Sequence, residues 1–292
     1  KFLVDCGMQQ GPDLYENQDL PVSAAEIDYV FVTHAHIDHS GLLPLLYQRG
    51  FRGQIFATEA TCDLCDIMLR DSAHIQESEA EWKNRKAKRS GDEEVTPIYT
   101  MEDVYGVLPL FVPVRYHDVI HVSDEITATF YDAGHLLGSS SISMDLTEDG
   151  VTKTVVFSGD IGNPDRPLIK NPEFLKKADY VLTESTYGNR EHGPKRDFAK
   201  MLAQVIDETL SLGGNVVIPA FSVGRTQEIL YSIRRIKEEK LLKYVKNDFP
   251  VVMDSPLAVE ATHVYSMNVS ECFDEEAMDL VSHGVNPISF PG

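Results

Sequence analysis

Four cysteines in 292 residues are too few and too scattered for a disulfide framework, which excludes a small secreted fold stapled by bridges. Cys62 and Cys65 form a C-x-x-C, but no second pair answers it, and both read as small apolar residues of a helix rather than a metal or redox site. No apolar run reaches the ~20 residues of a membrane span. Basic residues are also short, with 26 Lys and Arg against 46 Asp and Glu and a net charge of −20. That balance disfavours a protein that coats nucleic acid through bulk electrostatics. It leaves open a nucleic-acid enzyme whose positive potential is confined to a cleft holding divalent ions. The unpaired thiols fit a reducing, cytoplasmic setting.

The length suffices for about two domains of ordinary size, each with its own core. The sequence opens at Lys1 with residues 2–4 already reading as strand, and stops at Gly292 without an element that closes anything. The expectation is an excerpt of a longer protein.

The densest chemistry lies in Thr33-His34-Ala35-His36-Ile37-Asp38-His39-Ser40-Gly41, directly after the apolar run Tyr29-Val30-Phe31-Val32. Imidazole nitrogen and carboxylate oxygen are preferred donors for zinc and similar ions. The spacing of His34 and His36 lets both rings point one way from an extended turn. Asp38 and His39 come round on the next turn, offset enough to reach a second ion. The bland alternative is a polar loop whose histidines cap the following helix; four donors this dense argue against it.

The pattern of a strand ending in a donor recurs. Strand 126–132 runs into Ala133-Gly134-His135, strand 153–157 into Ser158-Gly159-Asp160-Ile161-Gly162, and strand 180–183 into Glu184-Ser185-Thr186-Tyr187-Gly188. Ligands in sheet-based folds collect at the carboxyl ends of strands. His34, His135, Asp160 and Glu184 are therefore expected to converge. Asp5, at the end of strand 2–4, is either a turn-forming acid or a carboxylate that accepts a hydrogen bond from a ligand imidazole.

Elsewhere the periodicity predicts helices over 41–48, from 59 well into the eighties, and over 103–110. Segments 111–115, 118–121 and 126–132 alternate like strands of an antiparallel layer. The distal part of the long helix ends in Lys83-Asn84-Arg85-Lys86-Ala87-Lys88-Arg89, a basic knot that either touches phosphates or forms a solvated face. After residue 192 the texture becomes a parallel α/β alternation: helices over 195–212, 224–240 and 255–267, and strands over 215–219 and 250–253. Ser222 and Arg225 stand at a helix N-terminus, where free N–H groups favour anions. Phosphate contact and ordinary capping are both open for them. Tyr231, His263 and His283 read as structural.

His-x-His-x-Asp-His is the signature of the metallo-β-lactamase superfamily. The stretches Ser158–Asn163, Thr183–Gly188, Pro219–Glu228 and Asp254–Ala258 resemble its β-CASP branch, which holds RNA- and DNA-processing nucleases. The resemblance implies an αββα metallo-β-lactamase sandwich over residues 1–191 and a partial β-CASP cap, a parallel α/β insertion, over residues 192–292, with the active site in the cleft between them. It implies that His34, His36 and His135 hold one zinc ion, that Asp38 and His39 hold a second, and that Asp160 bridges them. Asp5 becomes a residue orienting a ligand, and Glu184 an acid that positions a histidine from later in the chain. The first strands of the sandwich and the later histidine motifs are expected outside this sequence, leaving the second zinc site incomplete.

The implied activity is zinc-dependent hydrolysis of RNA phosphodiester bonds by a hydroxide held between two ions, cutting internally, from a 5′ end, or both. Single-stranded DNA is a further candidate substrate, and a homodimer a candidate assembly; no membrane partner is expected. Two alternatives are a catalytically silent scaffold subunit of an RNA-processing complex and a hydrolase of small esters. A small substrate needs no cap such as the segment after His192, and silent members usually lose ligands that are all present here.

Overall fold

A computed structural model describes residues 1–9, 20–90, 93–191, 193 and 197–290. The chain divides into two compact units, 1–162 with 172–184, and 163–171 with 185–292. Residue 192, where the sequence suggests a boundary, and residues 195–196, where it begins a helix, lie outside the described residues.

The first unit is built on two sheets. Strands β1 (Phe2–Val4), β2 (Tyr29–Phe31), β3 (Gln54–Thr58) and β4 (Phe111–Val114) form a parallel sheet in that order. Parallel strands need helical crossovers, and the chain supplies α1 (Ile37–Ser40), α2 (Leu43–Gln48), the 32-residue α3 (Glu59–Ser90) and α4 (Met101–Val107). Strands β5 (Ile120–His121), β6 (Ile126–Asp132), β7 (Ser140–Glu148), β8 (Val151–Phe157) and β9 (Tyr180–Leu182) form the second sheet. It is antiparallel except for the parallel β8–β9 pair. The sheets face each other across one apolar cluster, in which Phe31, Phe56 and Val114 of the first meet Ala128, Phe130, Ile142 and Met144 of the second. On β3 the alternate residues Ile55 and Ala57 are also buried, as expected for a strand covered on both faces.

In the first unit two features depart from the sequence reading. The segment expected to open an antiparallel layer at 111–115 instead pairs in parallel with β3, Phe56 opposite Val112. Its pattern marks a strand but not its partner, which is chosen by a crossover some 50 residues long. Strand β7 was not expected, because Ser140-Ser141-Ile142-Ser143-Met144-Asp145 mixes buried serines with its apolar residues. Its local signal is Asp149-Gly150, at φ 51° and 76°, which closes the β7–β8 hairpin in two residues of left-handed backbone.

The second unit is helical among its described residues: α5 (Phe198–Ser211), α6 (Arg225–Glu238), α7 (Pro256–Met267), α8 (Val269–Cys272) and α9 (Glu275–Ser282). Ala199, Ala203 and Ile206 of α5 fall on one face and pack with Ile229, Ile233 and Ile236 of α6. Asp197, Ser255 and Asp274 cap α5, α7 and α9 by accepting from Lys200 N, Ala258 N and Ala277 N. The strands expected over 215–219 and 250–253 carry no ladder among the described residues, and Val217 and Val252 are largely exposed. Apolar composition makes a segment fit for a sheet, but only a neighbouring backbone makes it a strand.

Candidate metal centre

The centre grows from the carboxyl end of β2, where Thr33 follows Val32. Thr33 N donates to Asp5 Oδ1 (2.8 Å) and its hydroxyl to Asp5 Oδ2 (2.9 Å), so the end of β1 clamps the end of β2. With its proton given to Asp5, the Thr33 oxygen can only accept from Nδ1 of His34, 3.1 Å away. That leaves the His34 Nε2 lone pair turned inward. Burial, and then the neighbouring imidazoles, hold the His34 pKa well below the usual histidine value, so this fully buried ring is neutral and fit to ligate.

His34 Nε2 lies 3.0 Å from His36 Nδ1, and His135 Nε2 lies 3.3 Å from the same His36 atom. Burial lowers the His36 pKa as well, against the carboxylates of Asp38 and Asp160. His135 is set by Ser139, whose Oγ accepts from the His135 and Leu136 amides at 3.0 Å each. The turn carrying His135 and the turn carrying Asp160 touch directly. Gly162 N donates to Ala133 O (2.8 Å), and a Cβ on Gly162 would stand 1.6 Å from Gly134 O, so only glycine permits this approach.

Asp160 turns its two oxygens to different sides. Oδ2 lies 3.5 Å from His135 Nε2 and 3.9 Å from His34 Nε2, while Oδ1 lies 3.4 Å from His39 Nε2. A hydrogen bond from His39 is the main reason its pKa falls below the carboxylate range. His39 Nε2 is also 3.9 Å from Asp38 Oδ2, and its Nδ1 is 2.8 Å from Asp5 Oδ2. Burial works against a charge on His39, but the hydrogen bonds to Asp160 and Asp5 outweigh it and push the pKa up to about 10. Glu184 Oε1 accepts from Ile161 N at 2.6 Å, and Glu184 N donates to Ser158 Oγ at 3.1 Å. Glu184 thus grips the peptide next to Asp160.

His34, His36, His135 and Asp160 each place a ligand atom within 4.8 Å of all the others, a group that can hold a metal ion. The donor set fits one: the His34 and His36 rings, whose pKa values are lowered by burial, converge with His135 and the Asp160 carboxylate. His39 meets the far oxygen of Asp160, and Asp38 lies beside His39. The structure gathers Asp5, His34, His36, Asp38, His39, His135, Asp160 and Glu184 at the strand ends of the first unit. Sequence reasoning missed Thr33, Ser139 and Ser158, which orient these residues; each is a hydroxyl next to or near a donor, too common a signal to stand out.

Ser222 and Arg225 belong to the second unit. Ser222 Oγ meets Ser255 Oγ at 3.2 Å, and Arg225 is paired with Glu228 at 2.6 Å. Gln227 Oε1 accepts from Gly224 N (2.7 Å), an ordinary cap on α6. No two of the four cysteines form a disulfide, and burial raises the thiols of Cys6 and Cys62 to about 12 and that of Cys65 further. A thiol held protonated by burial is a poor nucleophile.

Compared with known proteins, residues 1–159 match the metallo-beta-lactamase superfamily domain and residues 226–292 match the Beta-Casp domain. The chain belongs to the β-CASP branch of the metallo-β-lactamase superfamily. Its fold is the αββα sandwich of that superfamily with a Beta-Casp domain. It is 34% identical over 288 residues to "Ribonuclease TTHA0252" of Thermus thermophilus, covering 98% of this chain and 60% of that protein. It is 33% identical over 282 residues to "Transcription termination factor FttA" of Methanosarcina mazei, covering 92% and 41%. With "Probable RNase MJ4" of Methanocaldococcus jannaschii it shares 32% over 265 residues, covering 90% and 55%. The chain thus spans about two fifths to three fifths of these relatives. Among the described residues no helix is long and apolar enough to cross a membrane.

Proposed function

We propose that this β-CASP protein is a zinc-dependent hydrolase of RNA phosphodiester bonds working in a cytoplasmic setting. The observation that carries the reading is Asp160, with one oxygen toward His34 and His135 and the other toward His39. A carboxylate placed this way can serve two ions at once. Its relatives named as ribonucleases supply the substrate class.

In this reading His34, His36 and His135 would hold the first ion, and Asp38 and His39 would hold the second. A pair of zinc ions supplies an activated water at neutral pH and offsets charge on the phosphoryl oxygens. The chain's own residues do the positioning. Asp5 and Thr33 fix the tautomers of His39 and His34. Glu184 holds the Ile161 amide and so aims Asp160. Ser222 and Arg225 are proposed phosphate contacts, with Arg225 leaving Glu228 to reach one.

The test uses the full-length protein, zinc and an RNA labelled at its 5′ end. Asp160→Ala abolishes cleavage and lowers bound zinc; cleavage unchanged in that variant overturns the mechanism. Product lengths distinguish internal cuts from release at the 5′ end, and a DNA of the same sequence tests the sugar preference.

A further inference from the structure

The metal centre does not absorb the basic knot at the far end of α3. Residues 82–89 carry five cations and no acid in a chain of net charge −20. Their positions on the helix sort them. Trp82, Arg85, Lys86 and Arg89 fall at i, i+3, i+4 and i+7, one face of the helix. All four are exposed. Lys83 and Lys88 lie off this stripe and are each met by a carboxylate, Glu79 at 3.7 Å and Glu94 at 3.8 Å. Arg85 and Arg89 meet no carboxylate among the described residues.

The opposite side of the helix is fixed. Ala80 and Ala87 are buried, and between them Asn84 pairs with the Val95 backbone in both directions, Nδ2 to Val95 O at 2.8 Å and Val95 N to Oδ1 at 2.7 Å. Gln76 and Glu77 accept from the Ile98 and Met101 amides on the same strap. The stripe is therefore held outward. On it stands Trp82, the chain's single tryptophan, 51% exposed. The Lys86 ammonium lies 3.6 Å from its ring centroid and steadies the indole.

We propose that this stripe is a docking surface for single-stranded RNA. An exposed indole flanked by unopposed guanidinium groups is what a flexible polyanion with aromatic bases requires: a base stacks on the ring while phosphates meet Arg85, Lys86 and Arg89. The inference rests on the RNA reading above and adds a second contact to it. The first turn of α3 abuts the metal centre, since the hydroxyls of Thr58 and Thr61 donate to Gly138 O at 2.6 and 2.9 Å, three residues after His135. Trp82 lies about 35 Å along the helix from Glu59. An RNA long enough to follow α3 engages both ends, and a short oligonucleotide reaches the centre alone.

The test follows Trp82 fluorescence as poly(U) is added in the presence of a chelator, so that binding is read without cleavage. Quenching that weakens as salt rises is expected, with Trp82→Ala reducing affinity about tenfold by anisotropy. In Arg85→Ala/Arg89→Ala the slope of log affinity against log salt becomes shallower by about 1.4. The double variant keeps the thermal midpoint of the parent and its rate on a minimal phosphodiester such as bis(p-nitrophenyl) phosphate. Absence of quenching, an unchanged salt slope, or equal affinity for polyglutamate, which has charge but no bases, overturns the proposal. A protein that cleaves RNA without quenching loses only the stripe; one that quenches but never cleaves loses only the catalytic reading.

Discussion

The carboxylate of Asp5 lies 2.8 Å from Nδ1 of His39 while accepting both the amide and the hydroxyl of Thr33. One acid thus orients rings on both sides of the centre, His39 directly and His34 through the threonine oxygen. Orienting groups of this kind are worth roughly 10–100-fold in metal affinity. Asp5→Ala is expected to weaken zinc binding by about that factor in competition with a chromophoric chelator. Thr33→Val, which keeps shape but loses the hydroxyl, weakens it less. Unchanged affinity in both variants removes the orienting role.

Metal removal has a thermal signature. A ligand at a hundred times its Kd stabilises the folded state by about 2.7 kcal/mol, which for a domain of this size is about 5–10 °C in Tm. Dialysis against a chelator is expected to lower the melting temperature by that much, and added zinc to restore it. The Asp160→Ala protein shows no such recovery or a much smaller one.

Gly162→Ala tests the contact between the turns carrying His135 and Asp160. The new methyl needs space that Gly134 O already fills, so the turns must part. Both Tm and zinc stoichiometry fall. Insertion of a methyl into a site that yields cheaply would leave both unchanged.

Asp207 gives a pH dependence in the second unit. Its carboxylate accepts from the amides of Lys243 (2.8 Å), Tyr244 (2.9 Å) and Val245 (3.1 Å). Burial alone would raise its pKa, but these three donors outweigh burial and hold it below the usual range. A carboxyl shifted down on folding stabilises the protein above its unfolded pKa of about 3.9, and that stability is lost as pH falls through the folded value. Asp207→Ala therefore melts lower than the parent at pH 7, and the gap narrows as pH drops below about 4. A gap constant with pH contradicts the assignment.

The residues of the centre were legible to different depths. His34, His36, Asp38 and His39 are local, so spacing alone announces them. His135, Asp160 and Glu184 are far apart in sequence, and only the repeated strand-then-donor pattern predicts that they gather, as they do. Glu184 shows where local reading stops: nothing near it in sequence announces that it accepts from the Ile161 amide. Thr33 was invisible because a hydroxyl declares nothing until its partners are in place. The same physics governs the fold. The helices α3, α5 and α6 follow from their own periodicity, whereas the pairing of β4 and the unladdered segments near Val217 and Val252 depend on distant backbone.

Among the described residues β9 is the outer strand of the second sheet, with Tyr180, Val181 and Leu182 all exposed. A bare apolar border invites a like border on another molecule. The surplus of 20 negative charges keeps such molecules apart in dilute buffer. High salt or acid strips away that mutual repulsion, so light scattering should climb under both conditions well before the chain unfolds. Tyr180→Lys should delay the onset.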